Sequence, residues 1–361
     1  MAQPLRVGII GTGNIARAHV RALRSLEGRA EIVAATDIDP DHLQKFCGEQ
    51  EIASAHPTVE QMLAQESLDL VHICTPPGGH ADQAIACLEA GASVVCEKPP
   101  CLTLADFDRI LEAEKRNSGH FITIFQHRFG SSGKHLKSLI DSGRLGDPYV
   151  AICHTLWFRG DAYYEVPWRG RWDTEGGGPT MGHGIHQIDL LGHLLGDWVE
   201  ISATARRMAR HVDTEDVSFA HVTFASGAVA SIVNSILSPR EESYLRFDFA
   251  KATVEVTHLY GYNRSSWKWT SAPGVEEELW QPPEPDVPSS HAAQLADVVD
   301  AIERGERPEP SGPTARRTLE IVAGLYASAF TGERVRREDL GPDHPFYAAM
   351  HGGRPDGAAR A

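Results

Sequence analysis

Apolar runs alternate with amphipathic stretches along the first third of the chain. Residues 5–10 form a short apolar run of the kind that a strand buried on both faces requires, and residues 31–36 repeat it. The amphipathic stretch that begins near Asn14 separates the two. Further strands are predicted at 68–74, 92–96 and 121–125, and further helices at 39–48, 58–66, 81–90 and 103–115. This alternation predicts an α/β domain with a parallel sheet over residues 1–126.

The pattern changes after Gln126, where strand-like segments follow one another with short turns between them. Strands are predicted at 149–158, 203–210, 218–224, 228–236, 244–249 and 252–257, and helices at 131–142, 179–195, 291–304 and 314–330. Runs of strands with segregated helices predict an α+β domain with a large, mostly antiparallel open sheet over residues 127–340. The Pro-rich stretch 281–290 is expected to be a surface connection, and residues 341–361 a loosely attached tail.

Composition and charge narrow the class of partner. The chain has 361 residues, enough for two domains, and a formal net charge of −15. That charge argues against binding to nucleic acid or to anionic membranes, because both require basic patches, and favours a small-molecule partner. The six cysteines form no C-x-x-C pair, the first strand starts too early to follow a signal peptide, and no apolar stretch reaches about 18 residues. We therefore expect a cytoplasmic protein.

The turn after the first strand has the residue types of a phosphate-binding loop. Gly11 permits a tight turn, Gly13 lets a pyrophosphate approach the backbone N–H groups, and Ala16 takes the third small position. Thr12, Asn14 and Ile15 complete the predicted cofactor cradle. A G-x-G-x-x-A pattern between a strand and a helix predicts a dinucleotide-binding Rossmann domain.

Asp37 ends the second apolar run, about 20 residues beyond Ala16, where such domains place an acid that binds the ribose. A carboxylate accepts hydrogen bonds from the free 2′-hydroxyl of NAD and repels the 2′-phosphate of NADP, and no Arg or Lys follows before Lys45. NAD is therefore predicted over NADP. Alternatively, Asp37 or Asp39 caps the helix that follows Pro40.

Two further segments follow predicted strands and so lie at the carboxyl edge of the sheet, where open parallel sheets bind ligands. The first is Thr75-Pro76-Pro77-Gly78-Gly79-His80, from which we expect Thr75, Pro76, Pro77 and His80 to contact the cofactor. The second is Glu97-Lys98-Pro99-Pro100, in which Glu97 and Lys98 are candidate cofactor ligands. The rigid prolines after Lys98 would fix its backbone beside the cofactor.

Taken in order, the motifs GTGNIA, TPPGGH, EKP, GGG…H-x-x-D and SGPTARRTLEIVAGLYASAFTG resemble the glucose-fructose oxidoreductase, inositol dehydrogenase and MocA-like (Gfo/Idh/MocA) family over nearly the whole chain. The resemblance implies an NAD(P)-dependent oxidoreductase that assembles as a homodimer or homotetramer. It also implies that Lys98 is the active-site lysine and that His186 faces the nicotinamide. A lysine and a histidine suit alcohol oxidation, which needs a donor at the developing oxyanion and a base of near-neutral pKa.

One position departs from the family pattern. Many members carry an acid four residues before the histidine, but this chain has Gly182 there. His183 and Asp189 are the nearest polar residues to take over its role. Whether His186 or Lys98 is the general base stays open at this point.

The segment 163–172 combines aromatic rings, which stack on sugar C–H faces, with arginines, which donate to hydroxyls. Tyr163, Trp168 and Arg169 are therefore candidate substrate ligands, and Arg128 is a further one. Aromatic packing or an oligomer contact is the alternative for this segment. No metal site is predicted, because no acid completes a ligand set with His183, His186 and His193.

We therefore expect a dehydrogenase that transfers a hydride between NAD and a ring secondary alcohol of a sugar, glycoside or cyclitol. One alternative is an NAD-dependent glycosidase that oxidises a ring carbon transiently. Another is a dinucleotide-binding regulatory protein without catalysis, for which the missing acid at Gly182 would be a sign.

Overall fold

The computed structural model describes residues 3–276, 280, 282 and 284–354, which form two compact units. The first unit comprises Met1–Cys101, Asp106–Ile124 and His291–Ala315. The second comprises Leu102–Ala105, Phe125–Ser290 and Arg316–Ala361. The sequence-based division at residue 126 differs from this grouping, because the segment 291–315 joins the first unit.

The first unit contains a six-stranded parallel sheet in the order β3-β2-β1-β4-β5-β6, the order of a dinucleotide-binding Rossmann fold. Its strands are β1 (Leu5–Ile10), β2 (Ala30–Thr36), β3 (Ser54–His56), β4 (Leu70–Ile73), β5 (Ser93–Cys96) and β6 (Phe121–Thr123). The helices of this part are α1 (Asn14–Arg24), α2 (Pro40–Glu49), α3 (Val59–Gln65), α4 (His80–Glu89), α5 (Leu104–Arg116) and α9 (His291–Glu303). The predicted Rossmann domain is confirmed.

Helix α9 belongs to the first unit because its apolar face completes that unit's core. Leu295, Val298 and Val299 are fully buried in one cluster with Val7 of β1 and Leu70 of β4. The pattern of α9 shows an amphipathic helix but not the sheet on which it packs, and this is why sequence reasoning left it with the second domain.

The second unit contains an eight-stranded sheet in the order β13-β12-β11-β7-β10-β9-β8-β14. Its strands are β7 (Pro148–Phe158), β8 (Trp198–Arg206), β9 (Val217–Phe224), β10 (Val229–Ser235), β11 (Leu237–Phe249), β12 (Ala252–His258), β13 (Trp267–Ser271) and β14 (Val335–Arg336). All neighbouring pairs are antiparallel except β7 and β10, which are parallel. The other helices are α6 (Ser131–Asp141), α7 (Pro179–Gly182), α8 (Ile185–Leu195), α10 (Gly312–Thr331) and α11 (Pro345–Ala348). The predicted α+β domain with a mostly antiparallel sheet is confirmed.

The single helix predicted over 179–195 is wrong, because the chain breaks between α7 and α8. The carbonyl oxygen of Pro179 accepts hydrogen bonds from the N–H groups of both His183 and Gly184, which closes the first helix after one turn. A Cβ at position 184 would lie 2.1 Å from Oδ1 of Asn234, so only glycine fits where the second helix begins.

The tail prediction is wrong for residues 341–354, because Phe346 and Met350 bury all but 2% of their surface. Residues 355–361 of the predicted tail, and positions 281 and 283 of the predicted surface connection, lie outside the described residues. Residues 284–288 of that connection are exposed, as expected. Within the part of the chain that the structure describes, no helix is both long enough and apolar enough to cross a membrane.

Candidate active site

The glycine turn of the first unit lies where the strand order of the parallel sheet reverses, between β1 and β4. Gly11 has a φ of +85°, and a Cβ there would lie 2.9 Å from the backbone carbon of Cys74. A Cβ at Gly13, in contrast, would meet no atom within 4 Å among the described residues. The space beside Gly13, just before Asn14 and Ile15 of α1, is therefore open, as the approach of a pyrophosphate would require.

Asp37 lies directly after β2, and its carboxylate binds the glycine turn. The N–H and the Oγ1–H of Thr12 both donate to Oδ2 at 2.7 Å, and the N–H of Asp39 donates to Oδ1 at 3.0 Å. Burial alone would raise the pKa of Asp37, but these hydrogen bonds hold it below its usual value. The helix cap considered as an alternative is Asp39, which accepts from the N–H groups of Asp41 and His42.

The loop after β4 is braced by His80. Its Nε2 lies 2.8 Å from the carbonyl oxygen of Thr75, and its Nδ1 lies 2.8 Å from that of Pro99. The buried ring thus ties this loop to the segment around Lys98. Burial lowers the pKa of His80, although both carbonyls favour the protonated ring. The ring nitrogens of this predicted cofactor ligand are therefore held by backbone carbonyls of its own unit.

Glu97, after β5, is the centre of a buried network that the sequence did not predict. His19 Nε2 and His291 Nε2 each lie 2.9 Å from its Oε1, and the N–H of Lys98 donates to its Oε2 at 3.1 Å. An ionised carboxylate only accepts, so both imidazoles donate. His19 Nδ1 then accepts from His72 Nδ1, 2.6 Å away. Sequence reasoning missed His72 and His291 because nothing in their local pattern relates them to Glu97.

This network fixes the charge of Glu97. Burial alone would raise the pKa of this carboxyl, but the hydrogen bonds from His19 and His291 hold it well below its usual value. The two imidazole Nε2 atoms and the Glu97 oxygen lie within 4.8 Å of one another, a ligand set that suits a transition metal. All three atoms already take part in the hydrogen bonds between Glu97 and the two histidines.

In the second unit, His186 lies in the first turn of α8 and is 2% exposed. The ring of His127 stacks on it, with 5.0 Å between centroids and 25° between planes, and the ring of Tyr260 meets it edge-on at 5.3 Å. The ring of His258 also packs against His127, with 5.1 Å between the two ring centroids. Sequence reasoning missed His127, Tyr260 and His258, because only the folding of the second unit brings them to the helix.

Arg128 and Asp189 bind each other. Arg128 Nε and Nη2 donate to the two oxygens of Asp189 at 2.8 and 2.5 Å, and Thr318 Oγ1 donates to Asp189 Oδ1 at 2.7 Å. Burial raises the pKa of Asp189 in spite of the guanidinium. These hydrogen bonds thus join Asp189 to Arg128 and Thr318 within the second unit.

The predicted substrate segment packs as an aromatic and cationic group around His183. The Arg169 guanidinium lies 3.7 Å from the ring centroid of Tyr163 and 5.2 Å from that of Trp168. The His183 ring lies 5.7 Å from Tyr163 and 5.2 Å from Trp157. These predicted residues therefore come together within the second unit. Trp172, in contrast, is buried against Tyr326 and is part of the core.

Relatives of known activity match this chain. The sequence is 33% identical over 208 residues to inositol 2-dehydrogenase 3 of Saccharopolyspora erythraea, a match that spans 57% of this chain and 58% of that protein. It is 25% identical over 358 residues to D-glucoside 3-dehydrogenase of Escherichia coli, spanning 92% of this chain and 98% of that protein. The match to the Saccharopolyspora enzyme thus covers less than two thirds of its length.

A solved structure is similar over nearly the whole chain. It is the WlbA dehydrogenase of Bordetella pertussis in complex with NADH and UDP-GlcNAcA, with a TM-score of 0.83 and 27% identity over 92% of this chain and 98% of that one. Residues 5–125 match the model of the oxidoreductase family with an NAD-binding Rossmann fold, and residues 134–269 match a GFO/IDH/MocA C-terminal domain. The chain therefore belongs to the Gfo/Idh/MocA family of oxidoreductases.

Proposed function

We propose that this protein is an NAD-dependent dehydrogenase that transfers a hydride between the nicotinamide and a ring secondary alcohol of a sugar, glycoside or cyclitol. The observation that carries the proposal is the similarity to D-glucoside 3-dehydrogenase along 92% of this chain. The inositol dehydrogenase among its relatives supports a cyclic polyol as substrate class. The names of both relatives give dehydrogenation at a numbered ring position, which is a secondary alcohol.

In this proposal Lys98 and His186 share the work on the alcohol. Oxidation moves the carbinol hydrogen to NAD with its electron pair, while the hydroxyl proton goes to a base. Lys98 donates to the reacting oxygen and stabilises the developing negative charge. His186 accepts the proton. The hydrogen bond from the Lys98 N–H to Glu97 supports this assignment, because it fixes the backbone from which the lysine extends.

The proposed cofactor is NAD rather than NADP. A carboxylate offers about four lone-pair sites, and Thr12 and Asp39 use three of those on Asp37. One site on Oδ1 is left for a ribose hydroxyl. The depressed pKa keeps Asp37 ionised at neutral pH, so it would repel a 2′-phosphate. Gly11, Gly13, Asn14, Ile15 and the loop that starts at Thr75 would hold the rest of the dinucleotide.

The proposed substrate ligands are Tyr163, Trp168, Arg169 and His183. Stacked aromatic rings and a guanidinium suit the apolar and hydroxyl-bearing faces of a sugar. We also propose a homodimer or homotetramer formed through the open face of the eight-stranded sheet. A cytoplasmic location is part of the proposal, since all six cysteines are buried and outside disulfides.

The test is NADH formation by the purified protein with NAD across a panel of aldoses, anhydrosugars, glycosides and inositols. We expect stoichiometric NADH with at least one ring polyol, and loss of that signal in Lys98→Ala while NADH still binds. Lys115→Ala, at an exposed lysine of α5, is the matched control and should behave as wild type. Sugar release without net NADH would point instead to the transient-oxidation glycosidase.

A further inference from the structure

Arg169 is a partly buried cation whose contacts within the protein use little of its hydrogen-bonding capacity. Its guanidinium carbon lies 3.7 Å from the ring centroid of Tyr163 and 5.2 Å from that of Trp168. Nη1 donates to the carbonyl oxygen of Tyr163 at 3.2 Å. Nε is buried and has no hydrogen-bond acceptor among the described residues. In the same part of the chain, no carboxylate forms an ion pair with Arg169.

Two neighbouring arginines, in contrast, are paired with acids of the protein. Arg159 Nη1 lies 2.8 Å from Oε1 of Glu241, and Arg171 Nε lies 3.4 Å from Oδ1 of Asp173. A charge that leaves water without a counter-charge is unfavourable. The partly buried guanidinium of Arg169 therefore suits a ligand that brings the negative charge with it.

The aromatic contacts of Arg169 do not take the place of such a ligand. A ring attracts the face of a guanidinium, whereas the N–H groups lie at the edge of the guanidinium plane. With Nη1 on a carbonyl oxygen, the edge that carries Nε and Nη2 is left to donate two parallel hydrogen bonds. A carboxylate or a phosphate group is the acceptor whose geometry matches that edge.

Glu175 is the buried acid of the same turn, and its oxygens face other groups. Oε2 accepts a hydrogen bond from the N–H of Gly170 at 2.6 Å, and Oε1 lies 3.2 Å from the Cβ position of Gly182. Burial raises the pKa of Tyr163, the charge of Glu175 adds to that shift, and the charge of Arg169 opposes it. Both charges therefore act on this tyrosine, but no salt bridge joins them.

The guanidinium belongs to the same contiguous group of side chains as His186. The ring of Tyr163 lies 5.7 Å from that of His183, which lies 5.2 Å from that of Trp157. The ring of Trp157 lies 6.2 Å from that of Tyr260, which meets His186 edge-on at 5.3 Å. All these residues lie in the second unit. A ligand whose alcohol is at His186 and that extends along this group meets the guanidinium with another of its substituents.

We propose that Arg169 binds an anionic substituent of the substrate, so that the ring polyol carries a carboxylate or a phosphate group. The guanidinium donates to the anion through Nε and Nη2, while Tyr163 and Trp168 hold its plane in position. This inference rests on the proposed function and narrows its substrate class from ring polyols in general to acidic ones.

The first test measures binding without turnover. Methyl β-D-glucuronide has a carboxylate where methyl β-D-glucoside has a hydroxymethyl group, and glucose 6-phosphate supplies a phosphate instead. In calorimetric titrations of the complex with NADH, which cannot oxidise an alcohol, we expect at least one of the two anions to bind about 30-fold more tightly than the glucoside. The preferred anion identifies the group that Arg169 binds. Equal Kd values for all three ligands, or no binding of either anion, would overturn the proposal.

The second test asks whether Arg169 is responsible for the preference. We expect Arg169→Gln to lower the ratio of anion affinity to glucoside affinity by about 30-fold, because the charge and the paired donors are lost. Arg169→Lys keeps the charge without the paired donors and should retain an intermediate ratio. A purely structural role would weaken all ligands alike and leave the ratio unchanged.

Arg171→Gln is the matched control, because Arg171 is an exposed arginine of the same segment whose ion pair is with Asp173. It should keep the wild-type ratio. The wild-type ratio in folded Arg169→Gln, or in folded Arg169→Lys together with a weaker ratio in Arg171→Gln, would contradict the proposal.

Turnover separates this inference from the proposed function. If NADH forms with neutral polyols and the anions bind no more tightly, the dehydrogenase stands and the role given to Arg169 is wrong. If an anion binds through Arg169 but no polyol yields NADH, the anion site stands and the proposed function is wrong.

Discussion

At the scale of single residues, we expect the choice of dinucleotide to depend on Asp37 and its neighbour. Ile38 is fully exposed, so a side chain there is free to turn toward a ribose phosphate. We predict that Asp37→Ser with Ile38→Arg reverses the cofactor preference, raising the ratio of NADPH to NADH affinity by at least about 100-fold. Fluorescence titration with both reduced dinucleotides measures this. Ile38→Arg alone should still prefer NADH, and a double variant that also prefers NADH would show that Asp37 does not set the choice.

Buried histidines should make stability depend on pH. Burial lowers the pKa of His258 from 6.5 to about 4, so the native state keeps it neutral where the unfolded chain takes up a proton. Its stabilising contribution is complete above pH 6.5 and is lost as the pH falls toward 4, a change of about 3 kcal/mol in the free energy of unfolding. We predict that His258→Gln flattens this slope in urea unfolding between pH 6.5 and 4. His211→Gln, at an exposed histidine, should keep the wild-type slope.

The residues to which the sequence assigns a predicted role are those whose role depends on local chain order. Gly11 and Asp37 belong to a strand, turn and helix pattern of about thirty residues. A segment of that length is enough to predict a dinucleotide site. His291 has no such signal, because its partner Glu97 reaches it only after folding. Gly182 itself was recognised as a departure from the family.

At the scale of elements, periodicity predicted most helices and strands but not where one helix ends. Residues 179–195 are helical in pattern on both sides of Gly184. The break arises because Pro179 O accepts two N–H groups and Asn234, from β10, fills the space beside Gly184. The W-K-W-T alternation of β13 was a usable signal that the sequence-based prediction missed.

The residue directly before α7, Gly178, must be a glycine. A Cβ at Gly178 would lie 1.9 Å from the carbonyl oxygen of Glu215 and 2.9 Å from its Cδ. We predict that Gly178→Ala lowers the free energy of unfolding by about 2 kcal/mol or more, because the neighbouring backbone must move. Gly48→Ala is the control, since Gly48 is an exposed residue of α2 with open space around its Cβ position. It should stabilise by about 0.5 kcal/mol, and equal effects of the two changes in urea unfolding would refute this interpretation.

At the scale of the whole molecule, the chain does not divide into two consecutive domains. Apart from Leu102–Ala105, it stays in the first unit up to Ile124, and it returns there with α9 after most of the second unit. Asp300 and Glu303 of α9 accept hydrogen bonds from Arg29, in addition to the buried apolar contacts of that helix. The fold class was predictable because the first unit repeatedly alternates strands with helices, and the second unit contains runs of successive strands. The return of α9 was not, because an amphipathic helix packs on any sheet that offers an apolar face.

The outer face of the eight-stranded sheet exposes several apolar side chains. Val229 pairs with Val150 and Phe219 pairs with Val233, so the four side chains share one face, and Phe219, Val229 and Val150 are 53%, 49% and 44% exposed.

Contiguous exposed apolar surface of this kind marks a protein interface, so we expect a dimer or tetramer by light scattering. Phe219→Lys with Val229→Lys should yield monomers, because burying two ammonium groups at a symmetric interface is unfavourable. Met208→Lys, at a residue that is 65% exposed outside the strands, should leave the assembly intact. A monomeric wild-type protein, or an unchanged mass in the double variant, would mean that copies of this chain do not associate through this face.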